Sequence, residues 1–184
     1  MVSPQVKPTV SFLSSECGLC HVGRALTSQP AVLSLSLESN LKPKVAFLHE
    51  LGIEDLGAQL DAYPALLSLS LEKNLRPTAA AFAEAGLLCG ERRRALRPRH
   101  LAASLSSRVL PRLAFCKARG HQPTLSGAST ATDATFCKQV GEDPGSYSRF
   151  LAAWQRERQS AEPALQISWL PEGLDLATLL RDSG

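Results

Sequence analysis

A repeat of 34 residues constrains the fold of this chain more than any other feature of its sequence. Two series of prolines, one of glycines and several of leucines and serines keep this period. Agreement of several residue types on one spacing indicates stacked copies of a single structural unit. The positions that define it are Pro30, Pro64 and Pro98; Pro43, Pro77 and Pro111; Gly52, Gly86 and Gly120; Ser36, Ser70 and Ser104; and Leu33, Leu67 and Leu101.

Each unit is predicted to contain two short helices. Apolar residues recur at helical spacing over residues 53–63, and this first helix must end before Pro64. A second apolar stripe runs over residues 71–82 and stops before Gly86, a residue type that commonly closes helices. Two helices joined by a proline turn therefore form one unit.

The start of the second helix has two solutions. A cap near Lys73 or Asn74 places Pro77 in the first turn, where backbone N–H groups have no intrahelical acceptor and a proline is tolerated. A start as early as Ser70 places a kink at Pro77 instead. The sequence leaves both solutions open.

Stacking of such units predicts an all-α fold, an α-solenoid of 34-residue two-helix repeats. With 44% apolar and 20% charged residues, the chain has enough apolar side chains for a continuous core. No apolar run is long enough to span a membrane. The side chains that we expect to be buried between neighbouring units are Leu37, Leu41, Leu71, Leu75, Leu105 and Val109.

Residues 30–52 and their copy at 64–86 closely resemble the repeat of the mitochondrial transcription termination factor (mTERF) family. The third copy, with Arg108-Val-Leu-Pro-Arg112, resembles the family's closing repeat, and residues 124–154 are similar in spacing to its capping segment. The resemblance implies an mTERF-type superhelix that binds nucleic acid in mitochondria or chloroplasts. Because the third unit is degenerate and no targeting segment is visible, we expect a truncated or divergent member.

Three regions are predicted from the repeat and the resemblance. Residues 7–123 hold a half unit at 7–16 and three units that end near Gly52, Gly86 and Gly120. Residues 124–155 form the C-terminal capping segment. Residues 156–184 start with a polar linker, and the rest of this region is either a docking helix, which would provide a site for a protein partner, or a tail.

Charge is concentrated in one part of the chain. Residues 91–120 carry nine basic and one acidic side chain, whereas residues 1–90 carry six and eight and residues 121–184 carry five and eight. Such a block predicts contact with a polyanion, since guanidinium groups pair well with phosphates. A solvated helix face of no function is the alternative. The candidate nucleic-acid-binding residues here are Arg92, Arg93, Arg94, Arg97, Arg99, Arg108 and Arg112.

Further candidate cations share positions in the repeat. Lys42 and Arg76 occupy one position beside the predicted start of the second helix, and Lys44 and Arg112 occupy another. Cations oppose the dipole at a helix N-terminus, so a bound phosphate would explain them. If the helix starts a turn earlier, these side chains are ordinary exposed charges.

One motif is consistent with cofactor chemistry. Cys17-Gly-Leu-Cys20-His21 matches the pattern for covalent haem attachment, but it falls in the register of a first helix, where core cysteines are the favoured interpretation. Cys17 and Cys20 also lack a second close cysteine pair for a zinc site. No nucleotide-binding, serine-hydrolase or metalloprotease motif occurs. We expect no cofactor, no metal and no catalytic activity.

The sequence therefore favours a monomeric regulator of organellar gene expression that binds double-stranded DNA or RNA and does not contact a membrane. It would act in transcription termination, RNA processing or ribosome assembly, as the resemblance implies. The alternative is a helical-repeat scaffold that binds proteins on its concave surface and does not bind nucleic acid.

Overall fold

A computed structural model of the chain describes residues 6–160. All regular secondary structure in this part is helical and none is strand, so the predicted all-α class is confirmed. Short α-helices alternate with tight 3-10 turns and wider π turns. In chain order the α-helices are α1 Val6–Ser11, α2 Val22–Ser28, α3 Lys42–Glu50, α4 Leu56–Ala62, α5 Arg76–Glu84, α6 Pro98–Leu101, α7 Leu110–Arg119, α8 Leu125–Ser129, α9 Asp133–Val140 and α10 Pro144–Ser160.

The turns recur with the period of the sequence. A 3-10 turn covers Pro30–Ser34 and again Pro64–Ser68, 34 residues later. A π turn precedes α3, α5 and α7 and runs into each without a break. These π turns are Leu37–Leu41, Leu71–Leu75 and Leu105–Val109.

Serine side chains cap the second helix of each unit. The Oγ of Ser70 accepts the backbone N–H of Lys73 at 3.1 Å, and Ser36 and Ser104 make the same contact with residues 39 and 107. Such a side-chain acceptor satisfies one of the free N–H groups of a first helical turn. The second helix therefore begins at Leu71, which is the earlier of the two starts that the sequence left open.

The early start explains why each second helix opens with a π turn. A proline inside a regular α-helix clashes with the carbonyl four residues before it and leaves that carbonyl unpaired. Here the N–H groups of Leu75 and Arg76 reach back five residues, to the carbonyls of Ser70 and Leu71. The wider turn makes room for Pro77. A departure from regular α-helix near this proline is expected when the helix starts as early as Ser70.

Glycines close the helical segments. Gly52, Gly86 and Gly120 have φ of 71°, 69° and 69°, in the left-handed region that side chains with a Cβ rarely enter. After Gly86 the N–H of Leu87 bonds back to the carbonyl of Phe82 at 2.9 Å, closing the helix end. Gly18, with φ 72°, lies one period before Gly52 and extends the series to the half unit.

The first helices depart most from the prediction. In the second unit α4 begins at Leu56 and not at Ile53, because Asp55 takes a left-handed φ of 48°. In the third unit a single 3-10 stretch, Gly90–Ala95, stands in the place of a first helix. Arg94 occupies the position of the buried Leu60 there, so this stretch has no apolar side chain to hold it against the core at that point.

The core follows the repeat positions. Leu41, Leu75 and Val109 are 0% exposed, while Leu37, Leu71 and Leu105 are half-buried and pack against the same cluster. The expected burial is thus complete for one residue of each pair and partial for the other.

The capping segment has a small aromatic core of its own. Phe136 and Tyr147 each meet Phe115 edge to face, with ring centres 6.0 and 5.2 Å apart. The last helix, α10, runs through Ser160, so the polar linker expected from residue 156 begins as helix. The docking helix or tail expected after it lies outside the described residues.

Two backbones meet between the first and second units. A Cβ built on Gly57 would lie 2.2 Å from the carbonyl oxygen of Gly18, a distance that no side chain tolerates. Beside this contact the Asp61 carboxylate accepts the backbone N–H groups of Cys20 and His21 at 2.8 and 3.1 Å. The start of α2 is therefore held by a side chain of α4.

Within residues 6–160, none of the helices has the length and apolar character needed to cross a bilayer.

Substitution of Leu71 and Leu75 tests which position of the repeat is fully buried. We expect Leu75→Ala to lower the free energy of unfolding by about 2–5 kcal/mol, the usual cost of emptying a fully buried leucine site. Leu71→Ala should cost less, because its side chain is only half-buried. Urea unfolding of the two variants measures the order, and a larger loss for Leu71→Ala would contradict the core described above.

Candidate nucleic-acid interface

The basic block begins in the 3-10 stretch that replaces the third unit's first helix. Residues 90–95 and the short α6 project arginines into solvent, with Glu91 the single acidic residue in 91–120. The stretch has no fully buried residue, and its arginines other than Arg93 are exposed. This segment presents charge without an apolar face.

Three of the candidate arginines are exposed and unpaired. The side chains of Arg92, Arg99 and Arg108 form no hydrogen bond or ion pair within the part of the chain that the structure describes. Their guanidinium groups keep all five N–H donors, which can reach two oxygens of a phosphate at once. They are the cations best placed to bind an anion.

Two further arginines are exposed but partly engaged. Arg94 Nη1 lies 2.9 Å from the Glu91 carboxylate, an exposed pair that contributes little to stability. Arg97 Nη1 donates to the backbone carbonyls of Arg94 and Leu96, at 2.6 and 2.8 Å. Both side chains keep free donors and remain in the candidate site.

Arg93 points the other way. Its Nε donates to the carbonyl of Leu51 at 2.8 Å, and its Nη2 donates to the carbonyl of Glu50. These carbonyls belong to the last turn of α3, where no intrahelical donor is available. A Cβ on Gly52 would lie 2.9 Å from this Nε, so the glycine also makes room for the guanidinium. Arg93 closes a helix of another unit and is removed from the candidate site.

Lys44 and Arg112 are also corrected, because both are 1% exposed. Lys44 Nζ donates to Asn40 Oδ1 at 2.9 Å and to the carbonyl of Leu67, in the neighbouring unit. Arg112 donates to the carbonyl of Gly127 at 2.8 Å and to Asp133 at 2.6 Å. Neither side chain can reach an external phosphate from this position.

Lys42 and Arg76 share a repeat position, and both are the ordinary exposed charges expected if the second helix starts a turn earlier. Each lies a turn inside its helix and pairs with the glutamate four residues before it, at 2.7 Å for Lys42 Nζ and 3.1 Å for Arg76 Nε. Arg76 also stacks over the Phe47 ring, 5.0 Å from its centre. The helix N-terminus expected beside them begins earlier, so a phosphate there is no longer supported.

Burial changes the pKa of two groups near these cations. Desolvation lowers the pKa of Lys44 from 10.5 to about 8, because no carboxylate compensates its charge. Desolvation and the charges of Arg99 and Arg97 lower the pKa of His100 to about 4. The neutral His100 ring accepts the backbone N–H of Arg97 at 3.1 Å, which helps to hold the arginine segment in place.

The cysteine motif lies in the loop before α2 and not in a helix. Cys17 is buried, and desolvation followed by the charge of Glu16 raises its pKa to about 12, so it stays a neutral core thiol. Cys20 is exposed, and the backbone N–H groups of Cys20 and His21 are taken up by Asp61. Among residues 6–160 there is no group of three or more side chains that could hold a metal ion.

The first two units are similar to a known family. The mTERF family model matches residues 9–90, which contain these units and part of the half unit. The match covers less than half of the 184 residues of the chain. No curated protein and no solved structure matches the chain.

The match ends where the arginine segment begins. The mTERF region supplies the helix ends and carbonyls that Arg93 and Lys44 use, whereas the five exposed arginines lie beyond residue 90. Sequence reasoning found all five from the charge count. It missed that the inward cations serve the fold, for which the only signal was that Lys44 and Arg112 share a repeat position.

Arg93 and Arg92 are neighbours with different roles. Arg93 holds the end of α3, whereas Arg92 is exposed to solvent. Arg93→Ala should lower the free energy of unfolding by about 1–3 kcal/mol, since it leaves two carbonyls of α3 without their donors. Arg92→Ala should stay within about 0.5 kcal/mol of the parent, as is usual for exposed sites. Urea unfolding compares them, and equal losses would contradict the role given to Arg93.

Lys44 should make stability depend on pH in the alkaline range. Its pKa is about 8 in the folded protein and near 10.5 when unfolded, so between these values the unfolded chain binds the extra proton. The free energy of unfolding contributed by this site therefore rises as the pH increases from about 8 to 10.5. The free energy of unfolding of the parent minus that of Lys44→Met, measured by urea unfolding at pH values on both sides of this interval, isolates the contribution of the lysine. We expect this difference to rise with pH, and a difference that falls would contradict the lowered pKa of Lys44.

Proposed function

We propose that this protein binds double-stranded nucleic acid through the five exposed arginines Arg92, Arg94, Arg97, Arg99 and Arg108. The observation that carries the proposal is their common exposure on consecutive segments with one carboxylate among them. Fields of one sign attract a polyanion and speed its association. The match of residues 9–90 to the mTERF family model supports the same class of ligand.

The proposal has four further parts, of which the first rests on the repeat and the others on the family resemblance. The units stack as an α-solenoid of 34-residue two-helix repeats, the protein acts as a monomer, and it works in a mitochondrion or chloroplast. Its role is regulation of organellar gene expression, through transcription termination, RNA processing or ribosome assembly. We assign no catalytic step to any of its residues.

We expect these arginines to contact the phosphate backbone and not the bases, because they are charged side chains spread along one stretch of the chain. Binding to phosphates releases condensed counterions, so affinity should fall steeply as salt is added. DNA and RNA duplexes both present such phosphates, and the two duplexes are compared directly in the test.

The test replaces the three unpaired arginines together. Arg92→Gln/Arg99→Gln/Arg108→Gln should reduce the salt slope of binding to duplex DNA by up to about 0.9 for each phosphate contact that the substitutions remove. The matched control, Lys7→Gln/Arg24→Gln/Lys73→Gln, removes the same charge from exposed positions outside the arginine segment. Arg93 and Arg112 are left unchanged because both hold the fold.

Fluorescence anisotropy with a DNA duplex and an RNA duplex over a range of salt measures affinity and slope. We expect the arginine variant to lose more of both than the control on at least one duplex. Equal losses would mean that net charge alone drives binding and would contradict the proposed site. Absence of binding by the parent to either duplex would favour the protein-interaction scaffold.

A further inference from the structure

An apolar groove of about 370 Å³ opens between α5, α7 and α10. Its walls are mostly aliphatic, and Trp154 of α10 forms one side. Leu113, Ala114 and Trp154 are only half-buried, so solvent reaches the groove from outside. Apolar walls at this spacing lack the close packing that protein interiors otherwise maintain, and a segment that fills the groove gains the burial.

The rim of the groove carries both signs of charge, with the exposed carboxylate Glu84 on α5 and the cation Lys117 on α7. Lys117 of α7 is exposed and has no ion pair among residues 6–160. The neighbouring His121 is already engaged, with its Nε2 2.9 Å from Glu142. An occupant with apolar side chains and carboxylates beside them would satisfy both the walls and this lysine.

The chain itself continues with such a segment. After α10, residues 161–184 contain four acidic residues and one basic residue, together with a dense set of large apolar side chains. Leu176, Leu179 and Leu180 stand at a spacing that places them on one helical face. The acidic residues Asp175 and Asp182 flank this set closely.

The connection to the groove is short. Trp154 lines the groove six positions before the end of α10 at Ser160. A chain spans up to roughly 3.3–3.6 Å per residue, so the residues between Ser160 and Leu176 reach any point around the groove. Attachment at the same helix also raises the local concentration of the segment to about the millimolar range, so weak contacts suffice.

We propose that residues 174–182 dock in this groove of their own chain, with Leu176, Leu179 and Leu180 against its walls and their acidic neighbours beside Lys117. The carboxylates of Asp175 and Asp182 then lie within reach of the Lys117 ammonium group. This interaction closes the apolar face that α5, α7 and α10 leave open. It is independent of nucleic-acid binding.

The test uses carbodiimide cross-linking of the full-length protein, which joins an amine to a carboxylate only when the two are in contact. Peptide mass spectrometry should find Lys117 joined to Asp175 or Asp182 in the monomer fraction. Lys138 of α9, an exposed lysine away from the groove, is the internal control and should give no comparable product. Equal yields at the two lysines would contradict the proposal.

A tail variant separates docking from simple charge attraction. Leu176→Ser/Leu179→Ser/Leu180→Ser keeps every carboxylate and leaves the sequence of residues 6–160 unchanged. The Lys117 product should disappear in this variant, and its persistence would overturn the apolar contact. Products that join two different chains would identify a second copy as the occupant and overturn docking within one chain.

Amide hydrogen exchange provides a second readout without chemical modification. Docking of most molecules should slow exchange of residues 174–182 by about tenfold in the parent relative to the serine variant, as expected for a docked population near 90%. The amides of α7 that line the groove should show a smaller change in the same direction. Identical exchange in the two proteins would contradict the proposal.

Discussion

The rest of the structure depends on apolar contacts between successive 34-residue stretches of the chain, because their short helices pack into one shared cluster. Fully buried leucines such as Leu41 and Leu75 stand at equivalent positions of the repeat and belong to one continuous cluster. The polar contacts cross the same boundaries. Lys44 reaches the Leu67 carbonyl, and Arg93 reaches the end of α3, so charged side chains as well as apolar ones join one unit to another.

The period made much of this fold predictable. It located the second helix of each unit, the glycines that close it and the leucines that it buries. It left two starts open for the second helix, because Ser70 is an ordinary serine in sequence and becomes a cap only when its backbone is extended. It failed in the third unit, where Arg94 at a leucine position removed the apolar stripe but could not reveal the 3-10 stretch that takes its place.

The sequence predicts how many basic residues the candidate site contains, but not which of them are exposed. Counting residues gives nine basic side chains in 91–120, yet Arg93 and Arg112 are turned inward by acceptors that lie far away in the sequence. A guanidinium that meets backbone carbonyls looks the same in sequence as one that meets water. Buried lysine and arginine are also rare enough that exposure is the reasonable expectation. The shared repeat position of Lys44 and Arg112 indicated a common environment but not which one.

The contact between Gly57 and Gly18 has a consequence for how this protein varies. Where side chains separate two elements, a change of residue moves them apart or together, and the architecture drifts with the sequence. Here peptide groups touch directly, so the separation of the first two units is set by the thickness of the backbone itself. Exchange of the surrounding leucines for other apolar residues can therefore change the stability of the contact between the two units. The distance between the two units stays the same, because the two backbones fix it.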